Sequence, residues 1–278
     1  MSITITPING EIGATITGAT GSEVATPEVA SQVQAAIDRY GVVVFPDLHI
    51  SDDDLAALAR QLGEVVLPLH GALADHPEIA PITRDPDQDK MAQYREATFN
   101  WHTDGTMSDV PDKLTMLTAI RTADGGEGNT EFATTYAAYE ALPDDDKALI
   151  DGLRVRHSFA SAQLKIHTDP TEKQLAAWNT VPKREHPLVW KRKDGRRSLV
   201  MGSTAEAVLD VPEEEGRATL QRILEWATQP RFTLSHSWHE GDLVIFDNTG
   251  LLHRAMPYSA TSQRLMHRAT VAGEEAFA

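Results

Sequence analysis

Asp242-Leu243-Val244-Ile245-Phe246-Asp247-Asn248-Thr249-Gly250-Leu251-Leu252-His253-Arg254 reads as strand, turn and strand. The run 243–246 is continuously apolar, which suits a strand buried on both faces. Asp247-Asn248 supplies the short polar side chains that turn a chain, and the second run carries His253. Working outward, 231–238 and 264–272 have the same strand-like make-up, with 251–256 between the last two strands. At the other end of the chain Ile3-Thr4-Ile5-Thr6 and Ala14-Thr15-Ile16-Thr17 alternate, and Val42-Val43-Val44-Phe45 is a further apolar β run. Strands at both ends enclosing a different kind of middle predict a mostly β chain with α insertions, its core a barrel or sandwich.

Two helices are expected between the early strands. One runs from about Pro27 to Arg39 with Val29, Val33, Ala36 and Ile37 on one face, stopped by Gly41. The other starts at Ser51, an N-cap followed by Asp52-Asp53-Asp54, whose charges favour a helix N-terminus. The stretch from about 143 to 229 reads as a mainly helical insertion, with helices over 143–151, 171–178 and 212–229 and two short strands near 187–191 and 198–201. The acid runs Asp144-Asp145-Asp146 and Glu213-Glu214-Glu215 belong to helix starts, not to metal sites. No internal repeat or linker divides the chain, so a single domain over 1–278 is expected.

Composition narrows the function. The net charge of −16 over 278 residues repels phosphate backbones and anionic headgroups, so neither nucleic acid nor a membrane is an expected partner. With no cysteine, any transition-metal site must use His and carboxylate, and there is no thiol nucleophile. The N-terminus lacks a basic, apolar leader and no apolar run reaches a membrane span, so a cytoplasmic protein is expected.

Eleven histidines are available. His102-Thr103-Asp104 sets an imidazole and a carboxylate on one face of an extended segment, but His-x-Asp recurs by chance in a chain this rich in His and acids. Its companions carry the weight. His253 would complete a two-His, one-carboxylate site with open positions, the kind associated with non-haem Fe(II) oxygenases. Beyond it Arg264, Met266 and Arg268 share one strand face, presenting two guanidiniums. Thr130, in Gly125-Gly126-Glu127-Gly128-Asn129-Thr130, offers a hydroxyl that could help Arg264 hold a carboxylate. His49, His76, His167, His236, His239 and His267 have no such context and are read as surface or hydrogen-bonded residues.

Further pieces fall in order along the chain: Trp101-His102-Thr103-Asp104, Gly128-Asn129-Thr130-Glu131-Phe132, Ala137-Ala138-Tyr139-Glu140-Ala141-Leu142, His186-Pro187-Leu188-Val189, Trp238 with Gly241-Asp242, Asp247-Asn248, and Arg264-Leu265-Met266-His267-Arg268-Ala269-Thr270. Over most of its length the chain resembles the taurine dioxygenase and 2,4-dichlorophenoxyacetate dioxygenase group of Fe(II)/2-oxoglutarate-dependent oxygenases. That resemblance implies a double-stranded β-helix (jelly-roll, cupin-like) core with flanking helices. It implies His102, Asp104 and His253 as iron ligands, and Thr130 and Arg264 on the distal carboxylate of 2-oxoglutarate. It places Arg268 at the anionic head of the substrate, with Phe159 and His70 near the substrate pocket. His186-Pro187 and Asp247-Asn248 are read as structural. The chain departs from the taurine enzyme in Tyr94-Arg95-Glu96-Ala97-Thr98-Phe99-Asn100 and after Leu199-Val200-Met201, which turns expectation away from taurine itself.

The expected activity is hydroxylation of a C–H bond in a small anionic organic molecule, a carboxylate or sulfonate of aryloxyalkanoate type or a natural-product acid. Fe(II), 2-oxoglutarate and O2 would take part, with succinate and CO2 as co-products. Retention of Asp104 favours hydroxylation over halogenation within the family resembled. A homo-oligomer is expected. The alternatives are a barrel that binds metal and 2-oxoglutarate as a sensor without turnover, and a metal hydrolase on the same three ligands. The hydrolase needs no second carboxylate clamp.

Overall fold

The computed structural model describes residues 3–69 and 71–278. Its larger sheet has seven strands in the order Thr4–Pro7, Ala14–Thr17, Val42–Phe45, Leu243–Asp247, Leu114–Arg121, Leu265–Val271 and Ala80–Ile82. Only the pairing of Ala14–Thr17 with Val42–Phe45 is parallel. The period-2 alternation of the strands sorts their side chains into two layers. Val43, Phe45, Leu243, Ile245, Met116 and Ala269 face outward, where the helices Pro27–Tyr40 and Asp52–Leu62 cover them. Val42, Val44, Val244, Phe246 and Met266 face the other way and meet Phe132 and Leu251.

Those last two residues belong to a smaller antiparallel sheet, Thr233–His236, Thr130–Thr134 and Leu251–Ala255 in that order. The sheets touch through aromatic rings, Phe132 lying 5.1 Å from Phe246 between centroids. Both phenylalanines are fully buried, and each removes from water a side chain whose burial contributes roughly 1.5–3 kcal/mol. The molecule is therefore a β core with helices on its outside. No helix among the described residues is long and apolar enough to cross a membrane.

Local chemistry agrees with the sequence at several ends. Gly41 closes the first long helix at φ 70°, in the left-handed region that side chains disfavour. Ser51 Oγ accepts from Asp54 N at 3.1 Å, a cap that contributes about 1 kcal/mol. The acid runs do begin helices, Asp144–Ile150 and Glu213–Ala227.

The stretch 143–229 forms the three expected helices and adds strands to them. It holds five short strands, not two: Arg154–His157, Arg184–Pro187, Val189–Lys191, Arg197–Leu199 and Ala205–Val208. It also holds an unexpected helix, Phe159–Leu164, capped by Ser158. The extra strands are rich in charge, as in Arg154-Val155-Arg156-His157, so hydrophobic periodicity gave no signal. They form by pairing with one another at their edges. In the flanks, Leu114–Arg121 and Thr130–Thr134 were also not anticipated, although the first lies inside the large sheet.

One buried side chain of this region sets an acid-stability expectation. His157 is fully buried with its Nδ1 2.8 Å from Thr204 Oγ1, and burial, reinforced by His186 and Lys165, brings it down to about 3 from an ordinary 6.5. The unfolded chain therefore takes up a proton that the folded chain refuses. The contribution is complete above pH 6.5 and is lost as the pH falls toward about 3, by at most about 1.4 kcal/mol per unit. His157→Gln is expected to flatten the fall of Tm between pH 6.5 and 4; an unchanged slope would contradict this.

Candidate active site

His102 and His253 are brought together by the backbone. His102 N donates to His253 O at 3.0 Å and His253 N donates to His102 O at 2.9 Å, an isolated antiparallel bridge on the free edge of the strand Leu251–Ala255. The imidazole centroids are consequently 4.1 Å apart. His102 Nδ1 lies 2.9 Å from Asn100 O, and since a carbonyl only accepts, Nδ1 carries a proton and Nε2 is the nitrogen turned toward Asp104. Asp104 Oδ1 stands 3.7 Å from His102 Nε2 and 3.8 Å from His253 Nε2. The three donor atoms lie within 4.8 Å of one another, on side chains mostly withdrawn from solvent. Two nitrogen donors and one carboxylate oxygen on one side of a space are a fitting cradle for a divalent first-row metal.

The opposite oxygen of Asp104 is held by protein. Arg268 Nη2 donates to Oδ2 at 2.7 Å and Thr115 Oγ1 at 3.4 Å. Burial pushes the Asp104 carboxyl up, but Arg268, the two imidazoles and Thr115 outweigh it and hold the group well below the usual carboxylate range. Burial, with His102 and Arg268 adding to it against Asp104, brings His253 down to about 3, so its imidazole is neutral and able to ligate.

Beside this triad is a buried cation. Arg264 is 4% exposed, makes no ion pair among the described residues, and its Nε has no partner. Burial lowers its pKa against the opposing influence of Tyr258, whose ring centre lies 5.0 Å from the guanidinium carbon. Gly128, at φ 74°, leaves room for it: a Cβ there would meet Arg264 and Tyr258 at 3.2 Å. Thr130 Oγ1 accepts from Trp238 Nε1 at 3.0 Å; because an indole N–H only donates, the Thr130 hydroxyl proton remains available. Thr130, Arg264, Tyr258, Arg268 and the triad line one cavity of about 240 Å³. An uncompensated buried guanidinium next to a spare hydroxyl donor calls for a carboxylate from outside the chain.

A second cavity, about 250 Å³, shares His102 and Asp104 with the first. Its walls include Met91, Tyr94, Thr98, Met107 and Phe159. Tyr94 and Phe159 meet edge to face at 5.3 Å, on a short 3-10 helix and on the helix that Ser158 caps. The structure thus gathers seven of the eight residues singled out from the sequence around two adjoining cavities. His70 lies outside the described residues. Three residues of the site had no role assigned from sequence: Trp238, which was noted only for its resemblance, Tyr258 and Thr115. Tyr258 is a single aromatic in a loop and Thr115 one threonine in an unrecognised strand, so neither left a pattern to read.

The family model "Taurine catabolism dioxygenase TauD, TfdA family" matches residues 4–270. The chain belongs to this family. It is an Fe(II)- and 2-oxoglutarate-dependent dioxygenase. It is 32% identical to the (S)-phenoxypropionate/alpha-ketoglutarate-dioxygenase of Sphingobium herbicidovorans, over 98% of this chain and 96% of that protein. With the alpha-ketoglutarate-dependent 2,4-dichlorophenoxyacetate dioxygenase of Cupriavidus pinatubonensis it shares 34% identity over 86% and 87%. A crystal structure of AAD-2 in complex with Mn(II) and N-oxalylglycine superposes with a TM-score of 0.84 at 30% identity, covering both chains completely. These are enzymes, and the sensor alternative finds no support among them. His102, Asp104 and His253 form a donor set able to hold a metal ion, and Arg264 Nε lacks a partner among the described residues.

Proposed function

We propose that this dioxygenase hydroxylates a C–H bond of a small aryloxyalkanoate-like acid, a carboxylate or sulfonate. In this reading His102, Asp104 and His253 hold Fe(II), and Arg264 with Thr130 holds the distal carboxylate of 2-oxoglutarate. The observation that carries it is Arg264, a buried guanidinium with no carboxylate partner among the described residues, in the cavity that the triad lines. When bound, the metal and co-substrate supply oxidative decarboxylation to succinate and CO2 coupled to transfer of one oxygen atom to the substrate.

The chain's own residues orient and exclude. Arg264 gives a planar fork to a carboxylate and Thr130 a single donor, which fixes both position and rotation of the co-substrate. Arg268 keeps Asp104 Oδ2 turned away, so that Oδ1 faces the imidazole nitrogens, and it places positive charge in the cavity that the triad lines, for the anionic head of the substrate. Tyr94 and Phe159 offer aromatic edges to an aryl group in the second cavity, holding the carbon to be oxidised beside the triad. The relatives named for phenoxypropionate and 2,4-dichlorophenoxyacetate support the aryloxy reading. Hydroxylation next to an ether oxygen would give a hemiacetal that collapses, so cleavage would be the net outcome.

The two sheets that meet through Phe132 and Phe246 support a double-stranded β-helix core within one domain over 1–278, to which the insertion at 143–229 contributes Phe159. A cytoplasmic location accords with a co-substrate drawn from central metabolism. The test is an anaerobic titration with Fe(II) and then 2-oxoglutarate, followed by O2-dependent succinate release with phenoxyacetate and phenoxypropionate. The visible charge-transfer band of chelated 2-oxoglutarate is expected in the wild type and absent in His253→Ala, and the aryloxy acids are expected to accelerate succinate release. A wild type without the band, or one indifferent to every aryloxy acid, would overturn the reading.

A further inference from the structure

Asn248 was read from the sequence as part of a turn, yet the fold puts it two hydrogen bonds from Asp104. It follows the strand Leu243–Asp247, its N donating to Lys113 O at 2.9 Å, and its side chain lies against Thr115 on the neighbouring strand Leu114–Arg121. Asn248 is 2% exposed and Thr115 1%, so neither exchanges these bonds with bulk water. Asn248 Nδ2 donates to Thr115 Oγ1 at 2.9 Å and Arg268 Nη2 donates to the same oxygen at 3.2 Å.

Counting donors settles the direction of the remaining bond. Neither an amide nitrogen nor a guanidinium can accept, so the two lone pairs of the Thr115 hydroxyl are both used and its single proton must go elsewhere. The acceptor in reach is Asp104 Oδ2, 3.4 Å away. We propose that Asn248 and Thr115 are positioning residues for the metal: Asn248 polarises and orients the Thr115 hydroxyl, which together with Arg268 pins Asp104 Oδ2 and leaves Oδ1 alone facing the two imidazoles. Asp104 is thereby restricted to one ligating oxygen, and the rest of the coordination sphere is kept for small molecules. This rests on the proposed assignment of Asp104 as a metal ligand. It also gives Asp247-Asn248 a chemical part beside its turn, since the Asp247 Oδ1 accepts from Thr249 N and Oγ1 and so shapes the bend that delivers Asn248.

The measurement is the affinity of the metal-free protein for Fe(II) alone under anaerobic conditions, followed by the charge-transfer band on adding 2-oxoglutarate. Thr115→Val, which keeps shape and loses the hydroxyl, leaves the buried Asn248 Nδ2 without its acceptor, so it is expected to lower the Tm of the metal-free protein by a few degrees and to weaken Fe(II) binding about 10- to 100-fold. Thr115→Ser restores the hydroxyl and is expected to bind within about threefold of wild type. Asn248→Asp separates the relay from simple electrostatics. An added negative charge by itself would tighten Fe(II) binding, whereas an acceptor-only side chain takes the Thr115 proton away from Asp104 and is expected to weaken it. Wild-type affinity in Thr115→Val, failure of Thr115→Ser to restore it, or tighter binding in Asn248→Asp would each overturn the relay while leaving the metal site standing. Absence of Fe(II) binding in the wild type would overturn the metal assignment and the relay with it.

Discussion

Replacing Arg264 by Met is expected to raise the Michaelis constant for 2-oxoglutarate by roughly a hundredfold or more while making the metal-free protein harder to unfold. Both halves come from one fact: Arg264 is 4% exposed and has no carboxylate partner among the described residues. A guanidinium moved from water into such a place without a counter-charge costs free energy, and an apolar side chain of similar volume removes that cost. Met also keeps the apolar contact with Tyr258, which lies over the guanidinium in the wild type. The gain is expected to be about 1–3 kcal/mol, a Tm rise of a few degrees for a chain of this size. In the co-substrate complex the sign reverses, because the variant loses a charge-assisted, desolvated pair of about 2–5 kcal/mol. 2-Oxoglutarate should raise the Tm of the wild type by mass action and leave that of Arg264→Met unmoved. Thermal melts with and without co-substrate, and steady-state kinetics at saturating substrate, check the two halves. A lower Tm in the metal-free variant would show that Arg264 is paired by something within the fold. An unchanged Michaelis constant would remove it from the co-substrate site.

Asp104→Ala is expected to abolish O2-dependent succinate release, by at least about a thousandfold, through loss of the metal. Asp104 brings the negative charge of the three-residue set; His253 is neutral, brought down to about 3 by burial, so nothing on the protein side of the site replaces the carboxylate. The variant does more than delete a ligand. Arg268 Nη2, now 2.7 Å from Asp104 Oδ2, would lose its nearest counter-charge and turn its field on the incoming dication, with Asp112 left at 3.9 Å. Fe(II) affinity should therefore fall further than in His253→Ala, where the Arg268 and Asp104 pair survives. Paired anaerobic Fe(II) titrations of the two variants make the comparison, and equal affinities would contradict the role given to Arg268.

The site was legible in sequence wherever chemistry depends on a rare residue type in a short spacing. His102-x-Asp104 meets that condition, and a resemblance spanning most of the chain ties His253, Thr130 and Arg264 to it. The supporting residues did not. Trp238, Tyr258, Thr115 and Asn248 act by contacts across 108, 6, 11 and 133 positions of chain, to Thr130, Arg264, Asp104 and Thr115 respectively. Such contacts leave no local pattern, because each needs two strands or loops to be placed side by side first. The extra strands of the insertion were missed for a related reason. Arg154–His157 and Arg184–Pro187 pair with each other through backbone bonds, and their charged side chains carry none of the alternation that marks a half-buried strand.

Read along the chain, residue types establish an inventory: no thiol chemistry in a chain without cysteine, β runs at both ends, caps at Ser51 and Gly41, and a small candidate set for a metal and a dicarboxylate. Which of these meet, and what each costs, follows from the fold. The backbone bridge between His102 and His253 sets two imidazoles 4.1 Å apart, and the fold buries Arg264 with no carboxylate partner among the described residues. The physical reason is that composition and spacing act along the chain, while charge burial and donor counting act through space. A guanidinium becomes a demand for a ligand once the fold has removed the water around it.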